Sequence, residues 1–187
     1  LKPANILLAD DGRPMLLDFH LAAELGGDRT AAVVVGGTLP YMSPEQIRSL
    51  ELPMPVDERS DLYSLGVVLF ELLSGRLPFS VRTGNVHSIL DLMLSDRRCV
   101  PKLRAVNPRI SASTEAIVRK CLAPELRNRY QSASELVEDL ECQIRDLPLR
   151  HAGNRSVVDQ IRKWIRRHPR LTSGGGVTAI TIALAIF

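Results

Sequence analysis

Between Ser60 and Gly75 the chain reads Ser-Asp-Leu-Tyr-Ser-Leu-Gly-Val-Val-Leu-Phe-Glu-Leu-Leu-Ser-Gly, and no other stretch limits the fold as tightly. Leu62, Leu65, Leu69, Leu72 and Leu73 recur on one helical stripe. Val67, Val68 and Phe70 fill much of the opposite side, so the spacing predicts a helix buried all round. Ser60 suits its cap and Asp61 the positive end of its dipole. Gly75, followed by Pro78, ends it.

Other elements are expected along the chain. Helices are expected over 86–95, over 113–122 with Ser113 as cap, and over 133–146, where Ser132 and Glu135 have capping-box spacing. Upstream, apolar runs at 6–8 and 14–17 flank Asp10-Asp11-Gly12-Arg13, and Asp-Gly between extended runs signals a hairpin-like turn. From Leu21 to Leu39 the sequence is rich in Gly, Thr, Ala and Val without helical period and reads as a surface loop. With 187 residues, 45% apolar and 24% charged, the chain can hold one ordinary domain with a core, which excludes wholesale disorder. Its three cysteines, Cys99, Cys121 and Cys142, are odd in number and form no Cys-x-x-Cys pair. That argues for isolated thiols in a reducing cytoplasm, not a disulfide framework or zinc site.

The chemistry-bearing residues come in a fixed order: Lys2-Pro3-Ala4-Asn5, then Asp18-Phe19-His20, then Gly37-Thr38 and Ser43-Pro44-Glu45. This series resembles the eukaryotic-type Ser/Thr protein kinase family, including its bacterial receptor-like members, in the catalytic loop, the metal-binding triplet and the end of the activation segment. The resemblance covers residues 1–147. It implies a mainly α fold: the helical C-terminal lobe of a protein kinase, opened by a small β-hairpin. The activity implied is transfer of the ATP γ-phosphoryl group to Ser or Thr hydroxyls of proteins, a signalling reaction. Phosphoryl transfer asks little covalent chemistry of a protein, only metal ions that bridge phosphate oxygens and a nucleophile held in line.

The resemblance also implies roles. Asn5 and Asp18 are the expected Mg2+ ligands, an amide oxygen and a carboxylate suited to a hard cation, which the Asp11-Gly12 turn could fold back towards each other. Lys2 is expected to neutralise charge on the transferred phosphoryl group of ATP, and Lys2-Pro3 points to Ser or Thr acceptors. Thr38 matches the residue whose hydroxyl touches the catalytic loop and helps select those acceptors. Phe19 completes the triplet with His20, which stands where the family normally has Gly; the expected effect is a restricted flip of the loop, not loss of metal binding. Asp61 is expected to accept backbone N–H bonds from the catalytic loop, and Glu45 to pair with Arg129, anchoring the activation segment to the helical body. Thr30 is a candidate phosphosite. The family's catalytic Asp would stand just before Leu1, and the smaller lobe, with its Gly-rich loop and lysine, would also lie upstream. The chain therefore reads as a fragment without useful activity alone, whose missing N-lobe belongs to the same polypeptide. A pseudokinase that docks partners without catalysis is the alternative, hinted at by His20.

The last forty residues differ in character. From Arg145 to Arg170 there are eight Arg or Lys residues against Asp146 and Asp159, so the net charge of +3 hides a basic segment on a slightly acidic chain. Residues 149–156 read as a polar linker, and a short basic helix is expected from Ser156 to His168, ended by Pro169. Val177 to Phe187 is an uncharged run. As a helix it reaches about 16 Å, against a bilayer core of about 30 Å. It follows a basic stretch containing Trp164, as expected beside the cytoplasmic face of a membrane, and is read as the start of a spanning helix. The organisation expected is thus a kinase lobe over 1–147, a basic juxtamembrane linker or helix over 148–173, and the start of a transmembrane helix over 174–187, with the catalytic domain cytoplasmic. No nucleic-acid reading motif accompanies the basic segment, and nucleic acid is not an expected partner.

Overall fold

The computed structural model describes residues 1–17, 38–81, 85–154 and 156–169. A two-stranded antiparallel hairpin opens the chain, β1 (Ile6–Leu8) against β2 (Pro14–Leu16), in a register that pairs Ile6 with Leu16 and Leu8 with Pro14. Its turn closes through Gly12 N–H to Ala9 O (2.8 Å), and Gly12 sits at φ 80°, a left-handed conformation that costs glycine little. Seven helices follow among the described residues: α1 (Pro44–Ser49), α2 (Arg59–Ser74), α3 (Val86–Asp96), α4 (Leu103–Val106), α5 (Ala112–Cys121), α6 (Ala133–Ile144) and α7 (Val157–Arg167).

The long helices fall where periodicity put them, and Gly75 ends α2 as expected, but two of the three expected N-caps do not hold. α2 begins at Arg59, and Ser60 is drawn inward to donate to Glu45 Oε1 (2.6 Å). Asp57 serves the helix end instead, accepting from Arg59 N–H (3.0 Å). On α5 the cap is Ser111, which accepts from Thr114 N–H (3.0 Å), while Ser113 lies inside the helix. Ser132 does cap α6, yet the Glu135 carboxylate reaches Gln131 N–H (2.8 Å), not Ser132, so only half of the expected box forms. A complete capping box occurs where none was expected: Ser43 and Gln46 exchange side-chain and backbone bonds at the start of α1.

α2 is the hub. Tyr63, Val67 and Phe70 pack with Leu103 of α4 and Val118 and Leu122 at the end of α5. Leu62 joins Ile117, Cys121, Tyr130, Leu136 and Ala152 in a second cluster. A third places Ile47 of α1 on Ile89, Leu90 and Met93 of α3. The expectation that α2 is buried all round holds only for its middle, Leu62 to Phe70: Asp61 at its start is exposed, and Leu72 on the last turn is 76% exposed. Gly66 marks the closest approach of two helices, since a Cβ there would lie 2.6 Å from the Cys121 Cβ. Cys121 and Cys142 are buried and Cys99 is exposed; burial pushes the Cys121 thiol up to about 12.

Residues 149–154 do not behave as a free linker. Asp139, fully buried, accepts backbone N–H bonds from Arg150 (2.7 Å), His151 (3.1 Å) and Ala152 (2.7 Å), and a fourth from the Tyr130 hydroxyl (2.8 Å). Burial alone would raise this carboxyl; the four donors outweigh it and hold the group below its usual range. α7 then turns back onto the start of α5. Among the described residues no helix is long and apolar enough to cross a membrane, and the uncharged run from Val177 lies outside them.

Candidate catalytic and activation-segment site

The site is assembled from the ends of the hairpin and the segment after Thr38. Pro3 starts a single 3-10 turn over Pro3–Asn5, its ring fixing φ at a position where no N–H is needed, and Asn5 N–H closes the turn on Lys2 O (3.0 Å). Asn5 leads directly into β1, and its carbonyl accepts from Leu17 N–H (2.8 Å). The hairpin thereby brings residue 17 alongside residue 5. Asp18, Phe19, His20 and Thr30 lie outside the described residues, so one member of the expected metal pair is described, Asn5.

Two other expected partners meet. Lys2 Nζ stands 3.3 Å from Thr38 Oγ1, across 36 positions of sequence. The terminal nitrogen of Leu1 lies 3.3 Å from Asp61 Oδ1, which places residue 1 beside the start of α2. Asp61 is largely exposed, so this contact is a weak one.

Segment 38–42 is held from below by groups that sequence reasoning missed. Arg97, which follows α3, is 1% exposed. Its guanidinium donates to Met42 O (2.9 Å), Pro40 O (3.0 Å), Leu39 O (3.3 Å) and Met93 O (3.2 Å), and lies 4.9 Å from the Phe79 ring centre. Burial pushes the Arg97 pKa down, but its value starts so high that it remains a cation at neutral pH. Ser64 donates to Tyr41 O (2.8 Å), and the Tyr41 hydroxyl donates to Glu71 (2.7 Å). Burial first, and then this carboxylate, push the Tyr41 phenol up to about 12, so it stays a donor. Nothing in the sequence marks Arg97, because an arginine after a helix reads as a solvated charge.

Glu45 and Arg129 form a two-pronged pair inside the lobe. Arg129 donates to Glu45 Oε1 (2.5 Å) and Oε2 (2.8 Å), and also to the carbonyls of Ala123 (2.7 Å), Arg59 (3.2 Å) and Pro124 (3.2 Å). Its guanidinium lies 4.8 Å from the Tyr63 ring centre. Burial would raise the Glu45 carboxyl, yet the hydrogen bonds from Arg129 and Ser60 and the charge of Arg129 hold it below its ordinary value. Such a pair survives burial because nearly every donor and lone pair is used.

Among the described residues no group of three or more His, Cys, Asp or Glu could hold a metal ion. A cleft of about 650 Å3 lies elsewhere, lined by Arg104, Glu115, Lys120, His151 and Asn154 among others; it touches the carbonyl-bearing residues Ala123 and Pro124 but contains none of Lys2, Asn5, Thr38, Glu45, Arg97 or Arg129. What the arrangement offers is an ammonium beside a hydroxyl at the mouth of a hairpin, with the following segment fixed to a helical body by two buried arginines.

A small hairpin feeding a helical lobe, with an activation-type segment anchored by a buried Glu–Arg pair, is the architecture of a kinase C-terminal lobe. Comparison with known proteins agrees: the family described as "Protein kinase domain" matches residues 1–140, and the chain belongs to that family. It is 39% identical over 144 residues to serine/threonine-protein kinase PknB of Mycobacterium tuberculosis, a match that covers 75% of this chain and 22% of the relative. A probable serine/threonine-protein kinase of Streptomyces coelicolor is 39% identical over 147 residues, covering 75% and 20% respectively. A probable PknB of Lactococcus lactis is 30% identical over 141 residues. The chain spans about a fifth of the length of the curated relatives it matches.

Proposed function

We propose that the chain is the larger lobe of a Ser/Thr protein kinase that, as a whole protein, transfers the γ-phosphoryl group of ATP to Ser or Thr residues of protein substrates with Mg2+. The observation that carries this reading is the 3.3 Å approach of Lys2 Nζ to Thr38 Oγ1. An ammonium so placed faces both the incoming phosphoryl group and the segment that receives an acceptor hydroxyl. ATP–Mg2+ supplies the transferable group with its charge partly neutralised. Asn5 presents an amide oxygen, a donor that Mg2+ accepts, and with Asp18 it would hold the ion. Asp61 would steady the loop, the Glu45–Arg129 pair the activation segment, and Phe19 and His20 the position of the triplet.

The hairpin leaves Leu8 73% exposed and Leu7 and Met15 about half exposed. This apolar edge is what the smaller lobe of the same polypeptide would cover. The uncharged run from Val177, behind a basic segment, supports tethering to the cell membrane with the kinase lobe on the cytoplasmic side.

The test is phosphoryl transfer by the full-length protein to a general Ser/Thr substrate. Lys2→Met and Asn5→Ala are each expected to lower the rate roughly 10²–10³-fold, the cost of losing one group that stabilises developing charge, with thermal melting unchanged. Equal rates in both variants would overturn the catalytic reading and favour a non-catalytic docking module.

A further inference from the structure

α7 is an amphipathic helix mounted the wrong way round. On a wheel of about 3.6 residues per turn, Asp159, Lys163 and Arg166 share one side, while Val157, Val158, Ile161, Trp164 and Ile165 share the other. The lobe grips the polar side. Asp159, 6% exposed, accepts from Ser113 Oγ (2.6 Å), Ser113 N–H (3.2 Å) and Asn154 Nδ2 (2.7 Å) at the first turn of α5, where the dipole of that helix favours an anion. Lys163, 2% exposed, donates to Leu147 O (2.9 Å), and Arg166 pairs with Asp146 (2.9 Å). Every side chain of the apolar stripe is left outside: Val157 is 65% exposed, Ile161 52% and Trp164 43%.

A surface helix ordinarily buries its apolar stripe against the core and shows its charges to water. The reverse arrangement here leaves a five-residue apolar face in the open, flanked by Arg162 and Arg167. We propose that α7 lies flat on an anionic lipid surface, its apolar face in the headgroup–acyl boundary and its polar face carrying the kinase lobe. Charge selects this occupant. The flanking Arg162 and Arg167 complement lipid phosphates, whereas two copies meeting through this face would oppose like charges. Trp164 occupies the position that an amphipathic ring favours at a bilayer boundary. The chain then reaches the uncharged run only eight residues after Pro169. The proposal deepens the membrane-tethered reading and rests on it for a bilayer near residue 169. It adds a second contact that fixes how the lobe faces that bilayer.

Trp164 is the only tryptophan in the chain, so its emission reports this helix alone. The 187-residue chain is to be titrated with phosphatidylcholine vesicles with and without about one-third phosphatidylserine, beside two variants. Ile161→Glu/Ile165→Glu spoils the face of α7, and Ile182→Arg/Leu184→Arg spoils the tail. The expected result is a blue shift with anionic vesicles in the parent and in the tail variant. In the α7 variant the shift should be absent and vesicle partitioning at least tenfold weaker, with an unchanged melting curve. Binding should also weaken in high salt, as screening of the arginines requires. A shift that survives the α7 substitutions, or that vanishes only in the tail variant, overturns the proposal; the latter leaves the tethering reading standing. A shift without lipid that grows with protein concentration alongside a dimer in sedimentation also overturns it, in favour of a second copy.

Discussion

At the scale of single residues, two arginines do what the sequence assigned to one. The pairing of Glu45 with Arg129 was legible because the motif around each end implied it, although 84 positions separate them. Arg97 was not legible, since its work is to satisfy carbonyls of a segment whose path only the folded chain defines. The Glu45 carboxyl is held below its ordinary 4.5, so the pair contributes stability that is fully present above about pH 4.5 and is lost as pH falls through the lower folded value. In the intact domain, urea midpoints should therefore hold from pH 7 to 5 and fall below that. Arg129→Ala should cost about 3–5 kcal/mol at pH 7, because a buried carboxylate is left alone. Its pH dependence should also invert: with burial unopposed, Glu45 takes up a proton more readily in the folded state, and acidification from pH 7 to 5 should recover part of the loss. An unchanged midpoint at pH 7 would remove the pair from any account of stability.

At the scale of elements, periodicity located the helices, and the misses were two N-caps, Ser60 and Ser113. Leucine spacing specifies which residues share a face, and the five expected helices and two expected strands all fell within a few residues of expectation. Capping depends on which serine adopts extended backbone before the helix, and Ser111 and Ser113 are alike in sequence. Tertiary demand also intervened: Ser60 was taken by Glu45 and Ser113 by Asp159. Gly66 carried no signal either, since a glycine inside a helix reads only as a weak point. Its value is the crossing of α2 and α5. Gly66→Ala should raise intrinsic helix propensity, yet destabilise the lobe by about 1–3 kcal/mol through overpacking against Cys121. Chemical denaturation measures the sign: a gain in stability would mean that the helices can separate at little cost.

At the scale of the whole molecule, the surprise is how much of the trailing chain belongs to the lobe. A polar stretch followed by a basic helix suggested a tether, because nothing in the sequence marks Asp139 or Asp159 as buried acceptors. Both are buried and use their lone pairs to bind chain that comes later or packs from afar. Asp159→Ala should release α7, leaving Asp146 as the counter-charge near Lys163 and Ser113 without its acceptor, at a cost of about 1–3 kcal/mol. Hydrogen exchange should then quicken across 157–167 while α2 and α5 keep their protection. Equal acceleration throughout would show that the helix is integral to global stability rather than a separable appendage.

The four-donor seat at Asp139 has a mechanical corollary. A leash of polar residues would absorb traction by extending, and nothing felt at its far end would arrive at the globule. Here the backbone at 150–152 is cinched to a carboxylate that also holds Tyr130, one residue beyond Arg129. Tension or torque applied past residue 169 would first load the contacts of α7 at Arg166, Lys163 and Asp159, and then this knot, one residue away from the arginine that anchors the activation segment.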